Sequence, residues 1–346
     1  MKLKLITTSA IALFCLAVMP SAQALSFNFI TNGLSNDAAA ALNRAGSRWS
    51  SQLQDTVTIN IAVNMTNLNN AQVIGNASSI ELSNNYTYFR NLMVTDAANE
   101  ADDGVVSYLP TTDLASAYVP ANFSLTNLAA TKANLKALGE STAFSSLLDN
   151  TFGLNDGVIN FNSGYAFDYD ANNGVSANTM DFETVAAHEI GHILGFVSVV
   201  DNIDNMLKDN RPGSVTPFLL DLFRFGPSAN PATMSEFSTM PRDLRPGVAS
   251  YFDDLGTQVA FSTGQYTGDR NQASHWKADD ISGLFLGIMD PTLAYTQISS
   301  VSNFDLRALD VIGYEVTFVP LPSAVWLFVC TMLAWSGLTR RKPSIN

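Results

Sequence analysis

His188, Glu189 and His192 fall in the segment Asp181-Phe182-Glu183-Thr184-Val185-Ala186-Ala187-His188-Glu189-Ile190-Gly191-His192-Ile193-Leu194-Gly195-Phe196. Apolar residues at Phe182, Val185, Ala186, Ile190, Ile193 and Leu194 recur at helical spacing, which predicts a helix with one buried face. Residues four apart on a helix share a side, so the two imidazoles point the same way and can hold one metal ion between them. A catalytic zinc keeps one coordination position open and lowers the pKa of a water there to about 7. Glu189, next to the first imidazole, is placed to serve as general base on that water and to hand the proton to a leaving amine. Asp181 and Glu183 sit at the N-terminal end of the helix, where carboxylates are favourable. Gly195 offers the left-handed position that ends the helix and turns the chain beneath the metal. The motif alone can also arise as a solvated pair on a helix surface, so its context matters.

Gly195 extends the motif to H-E-x-x-H-x-x-G, which resembles the metzincin clan of zinc peptidases. The full metzincin pattern places a third His where this chain has Ser198, and a serine is not a plausible zinc ligand. The chain has three histidines in all, and the one outside the motif is His275, in Ala273-Ser274-His275-Trp276-Lys277 and followed by Gly287-Ile288-Met289-Asp290-Pro291. That order is similar to the leishmanolysin-like branch, in which a long insertion separates H-E-x-x-H-x-x-G-F from a distant third His and a methionine turn follows. The resemblance implies one zinc ion held by His188, His192 and His275, catalysis by Glu189, and Met289 as a hydrophobic floor under the metal. It spans about Asp181 to Tyr314 and leaves the amino-terminal half unassigned. Other third ligands remain open. Glu236, the first glutamate after His192, would make a thermolysin-like site, although nothing around it reads as a second active-site helix. Asp201 or Asp204, close behind the motif, could serve as in aspartate-using zinc peptidases. Tyr295 and Tyr314 could polarise an oxyanion, and no spacing selects either.

The elements that must position these residues are less explicit. Helical spacing appears at about Asn36 to Leu53, Asn84 to Ala98 and Leu125 to Leu138. Val57, Ile59, Ile61, Val63 and Met65 alternate with polar or small residues, the period of a half-buried strand, and Val158 to Asn162 is a second strand candidate after the turn Asn155-Asp156-Gly157. Nothing in this Asn-, Ser- and Thr-rich half reads as catalytic. The loop Asp168-Tyr169-Asp170-Ala171-Asn172-Asn173-Gly174 has the alternating oxygens of a calcium site, but its glycine falls one place late and no Glu closes it, so an Asx-rich turn is the better reading and a Ca2+ site the alternative. Ser302 to Tyr314 reads as a short structural helix ending at Gly313. The order of elements predicts an α+β fold with a mixed sheet. With the resemblance, the expectation is a two-lobed, metzincin-like zincin with the active-site helix at the base of a cleft, residues 25–197 forming the amino-terminal lobe and 198–318 the insertion and carboxy-terminal lobe.

Both ends carry targeting features. Lys2 and Lys4, an apolar stretch from Ile6 to Met19 and the small-residue sequence Ser21-Ala22-Gln23-Ala24 read as a signal peptide over residues 1–24. Over residues 319–346 a proline-marked Val319-Pro320-Leu321-Pro322 leads into an apolar stretch closed by Arg340-Arg341-Lys342, a membrane-retention pattern. It resembles sorting signals of the PEP-CTERM type in the variant beginning VPLPA, which implies a Gram-negative protein exported to the surface, matrix or medium and processed by an exosortase-like enzyme, with membrane contact through the tail before processing. A plain membrane anchor is the other reading of this segment. Cys15 and Cys330 both lie in these ends, so no disulfide is expected between them. The ends hold five of the 18 basic residues and none of the 31 acidic ones, leaving a net charge of −18 on the remainder. Nucleic acid is therefore not an expected partner. The sequence points to an exported zinc metalloendopeptidase acting on protein or peptide. The rivals are a non-catalytic, zinc-stabilised surface or matrix protein on the same scaffold, and a zinc amidase acting on a non-peptide bond.

Overall fold

The alternation from Thr58 to Thr66 forms one of the two inner strands of the main sheet in the computed structural model, which describes residues 25–112, 116–139 and 141–316. The expected signal peptide and sorting tail, with Cys15 and Cys330, lie outside the described residues, among which no helix is long and apolar enough to cross a membrane. Strands β1 (Ser26–Asn32), β2 (Thr58–Thr66), β3 (Gly75–Ser79) and β4 (Gly157–Asn162) make a mixed sheet in the order β1-β2-β4-β3. β2 runs parallel to β1 and β4, whereas β3 runs antiparallel to β4 and ends the sheet.

On one face of this sheet Ile59, Ile61, Val63, Ile159 and Phe161 are fully buried. The opposite face explains the asparagine-rich composition. Asn28 donates to Asn60, Asn64 donates to Asn160, and Asn160 donates to Asn76, at 2.8, 3.0 and 3.0 Å, so amide side chains tie neighbouring strands on the polar face. Helices α1 (Asn36–Ser50), α2 (Tyr86–Asp96) and α3 (Lys132–Gly139) follow, then the motif helix α4 (Phe182–Leu194), α5 (Val199–Lys208) and α6 (Asn303–Asp310). The architecture is α+β with a mixed sheet, as the element order implied.

The expected helix from Leu125 to Leu138 begins only at Lys132. Leu125 pairs with Val215, and Leu128–Thr131 is a strand antiparallel to Glu81–Asn84, because the apolar run Leu128-Ala129-Ala130 is buried in sheet pairing. The main apolar core runs from Leu25 to Tyr314 and draws on residues from both sides of position 197. A smaller cluster under α5 joins Val199, Val200 and Ile203 to Phe123, Phe218 and Ala273, two residues before His275.

Candidate metal centre

Helix α4 is fixed at both ends. At its start the Asp181 carboxylate accepts from the Thr184 N–H and hydroxyl at 3.0 and 2.5 Å, a side-chain cap for an otherwise unpaired amide. Arg44 and Arg48 of α1 hold Glu183 at 2.6 and 3.2 Å. Trp49, fully buried, donates its indole N–H to the Ala187 carbonyl, immediately before His188, at 2.8 Å. At the other end Gly195 has φ +122°, and the Phe196 N–H returns to the Gly191 carbonyl at 3.0 Å, the reverse turn that a residue without Cβ permits. The turn delivers the Phe196 carbonyl to His192, whose Nδ1 lies 2.8 Å from it.

His275 reaches the helix through aromatic packing and two carboxylates, one half-buried and one fully buried. Phe196 meets Trp276 edge to face at 4.8 Å, and Trp276 stacks on Phe261 at 5.1 Å. Asp201 accepts the N–H groups of Ala273 and Ser274 at 2.5 and 3.0 Å. It thus braces the segment that carries His275 and is not the alternative third ligand; its carboxyl is pushed up to about 6, chiefly by burial. Asp204 likewise holds the N–H groups of Tyr266 and Thr267, and Glu236 accepts from the Ala232 N–H. Neither takes part in the histidine cluster. Asp305, fully buried on α6, accepts four donors: the Trp276 indole N–H at 2.8 Å and the backbone N–H groups of Ile288, Met289 and Ser302 at 2.8, 3.2 and 2.7 Å. One carboxylate therefore fixes the residue after His275, the turn at Met289 and the start of α6.

The three imidazoles converge. Their Nε2 atoms lie 3.1, 3.2 and 3.2 Å from one another. Each Nδ1 faces a backbone carbonyl, Ile288 for His188, Phe196 for His192 and Gln272 for His275, at 2.8, 2.8 and 3.1 Å. A carbonyl only accepts, so each Nδ1 carries the hydrogen and each Nε2 presents a bare lone pair. Three lone pairs at that separation repel unless a cation sits among them, and tetrahedral zinc with Zn–N bonds of about 2.0–2.1 Å sets its ligand nitrogens roughly 3.3 Å apart. The donor set therefore fits a metal ion that favours imidazole. Burial lowers His188 to about 4, and burial with the neighbouring His188 lowers His192 to about 3. His275 is lowered well below its ordinary value for the same reasons. All three are held in the neutral form that ligates.

The cluster opens on a cleft of about 1460 Å³ lined by β3 and by the segments around Arg270 and Asp290. Glu189 faces this cleft with 6% exposure and forms no hydrogen bond or ion pair among the described residues; burial pushes its carboxyl up to about 8. Gly75 of β3 leaves it room, since a Cβ there would stand 2.9 Å from Glu189 Oε1. The amino-terminal half, which gave no catalytic signal in sequence, thus supplies one wall of the site. Met289, fully buried, lies against the middle of the motif helix, where a Cβ on Gly191 would come within 2.3 Å of its sulfur. Tyr314 is wholly buried and Tyr295 is 54% exposed, and neither lines the cleft; the cleft tyrosine is Tyr266. The 168–174 loop is an Asx turn in which Asp168 accepts from Asp170 and Ser176, and Asp170 from Asn172. Compared with protein-family models, curated proteins and solved structures, the chain matches none.

Two outcomes are expected. Asp201→Ala, measured by competition with a zinc chelator, lowers metal affinity by about 10- to 100-fold, the usual cost of losing a group that orients a ligand; unchanged affinity contradicts the bracing role. In the metal-free protein Glu189 stays protonated in the fold up to about pH 8 but ionises near 4.5 once unfolded. Its contribution is therefore full below pH 4.5 and is lost as pH rises toward 8. Denaturant unfolding of metal-free Glu189→Gln against wild type should show the variant gaining about 1.4 kcal/mol per pH unit across that window, and a flat difference would count against the buried carboxyl.

Proposed function

We propose that the protein is a metal-dependent hydrolase, and more particularly an exported zinc endopeptidase of two-lobed zincin architecture with α4 at the base of the cleft. The reading rests on one observation: three bare imidazole nitrogens converge beside a carboxylate that has no partner among the described residues and faces a cleft. His188, His192 and His275 would hold the zinc, as in the leishmanolysin-like metzincins that the motif order resembles. When bound, zinc supplies Lewis acidity, polarising a carbonyl and making a water acidic near pH 7.

The chain's own groups do the rest. Glu189 takes the proton from the water that attacks the peptide carbonyl and passes it to the leaving nitrogen as the C–N bond breaks. A dication facing it would favour the ionised form and so oppose the upward shift that burial imposes. The three carbonyls of Ile288, Phe196 and Gln272 keep the imidazoles in one tautomer and one orientation. β3 ends the sheet and runs along the cleft, so an extended peptide can pair with its edge and present its carbonyl to the centre. Met289 and Asp305 keep the floor of the site rigid. The amino-terminal leader and the sorting tail would carry such an enzyme out of the cytoplasm and release or display it at the surface.

The test is zinc content together with casein hydrolysis for wild type, Glu189→Gln and His275→Ala. Wild type is expected to hold one zinc and cleave. Glu189→Gln should keep the metal and lose at least about a hundredfold in kcat, the usual contribution of a positioned base, and His275→Ala should lose both. Full zinc and activity in His275→Ala, or undiminished activity in Glu189→Gln, would overturn the assignment.

A further inference from the structure

Resting on the peptidase reading, we infer that Arg270 is a substrate-binding residue that receives a carboxylate of the peptide, so that the cleft favours acidic substrates. Arg270 lines the same cleft as His188, Glu189 and His275 and is exposed within it. Among the described residues its guanidinium makes no hydrogen bond, ion pair or ring contact. That is unusual in a chain with 31 acidic and 18 basic residues, because an arginine in such a protein has many acids within reach.

The nearby acids are already engaged. Asp269 pairs with Lys277 at 2.6 Å and accepts the Thr263 N–H at 3.1 Å. Asp204 is spent on Tyr266 and Thr267, and Asp290 on Asp279 and Thr292. The neighbouring cation Lys208 lies over the Tyr266 ring at 4.0 Å.

The backbone holds Arg270 in place at a cost. Its φ is +76°, a conformation that disfavours a side chain with a Cβ by about 1–2 kcal/mol. The surrounding loop is clasped at both ends: the Arg270 N–H donates to the Gly264 carbonyl at 3.1 Å, and the Gly264 N–H donates to the Asn271 carbonyl at 3.1 Å. Asn271 leads directly into Gln272, whose carbonyl orients His275. A strained, pinned residue with an unused fork of five donors beside a candidate catalytic centre is the arrangement that recognises a planar carboxylate. The carboxylate can belong to a Glu or Asp side chain or to the peptide's free C-terminus.

The test uses internally quenched peptides carrying Glu, Gln or Lys at each position in turn, with free or amidated C-termini. Hydrolysis is followed with wild type, Arg270→Ala and Arg270→Glu, and binding is measured by calorimetry on zinc-loaded Glu189→Gln with and without Arg270→Ala. Wild type is expected to prefer Glu over Gln at one position, or acid over amide at the C-terminus, by roughly tenfold or more in kcat/KM. Arg270→Ala should bring that ratio to near one, and Arg270→Glu should turn the preference toward Lys-bearing peptides, which a merely unfolded variant cannot do. Preference at an internal position identifies a side-chain carboxylate, and loss of preference on amidation identifies the terminus. If wild type cleaves no peptide while Glu189→Gln binds acidic ones in an Arg270-dependent way, the hydrolase reading falls and the binding site stands. Cleavage without acid preference, a preference that Arg270→Ala leaves intact, or no acid-dependent binding overturns the inference.

Discussion

Three imidazoles are held with their Nε2 lone pairs facing one another, and the rest of the structure is arranged to sustain that repulsive contact. No one element could impose it. The helix contributes two of the rings by its own periodicity, but their ring planes are set by the carbonyls of Ile288 and Phe196, which lie outside the helix. The third ring arrives from a segment more than eighty residues away and is held by Asp201 behind it, Phe196 beside Trp276, and Asp305 beneath. Phe196, Trp276 and Asp305 are fully buried, and Asp201 and Asp305 accept backbone or indole N–H groups that would otherwise be left unsatisfied. The same contacts therefore stabilise the fold and aim the site.

The electrostatics follow from that burial. Low-dielectric surroundings depress the histidines and raise Glu189, so without an ion the centre favours neutral groups throughout. A bound dication would reverse the preference at Glu189, since it stabilises the carboxylate that burial penalises. The Glu189 carboxyl, without a partner among the described residues, is costly for the metal-free fold in its ionised form, and under the proposed reading it would move a proton, the usual tension between stability and function.

Sequence made one part of the site plain because its physics is local. His188, Glu189 and His192 are a helical pattern, and Gly195 announces the turn that follows. The strand at Ile59, Ile61 and Val63 and the helices near residues 36–50 and 86–96 were visible for the same reason. His275 could be named through the family resemblance and the scarcity of histidine, although nothing in its own neighbourhood marks it. Asp201 and Asp305 gave no signal, since they act on backbone N–H groups whose positions only the fold determines; Asp201 resembled a candidate ligand for being close in sequence. β3, with the sequence Gly75-Asn76-Ala77-Ser78-Ser79, has no apolar alternation because one edge faces the cleft and its polar side chains join the asparagine network. The stretch from Leu125 to Leu138 misled because alanine and leucine serve a buried strand as well as a helix, and pairing with Glu81–Asn84 decided the first half.

The most direct test is X-ray absorption at the zinc edge on protein loaded with one equivalent of zinc. The account predicts three imidazole nitrogens at about 2.0–2.1 Å with a fourth light-atom ligand, and loss of one imidazole in His275→Ala. A zinc that fails to bind, or that shows only two imidazoles in the wild-type protein, would contradict the claim that these three lone pairs exist to hold an ion.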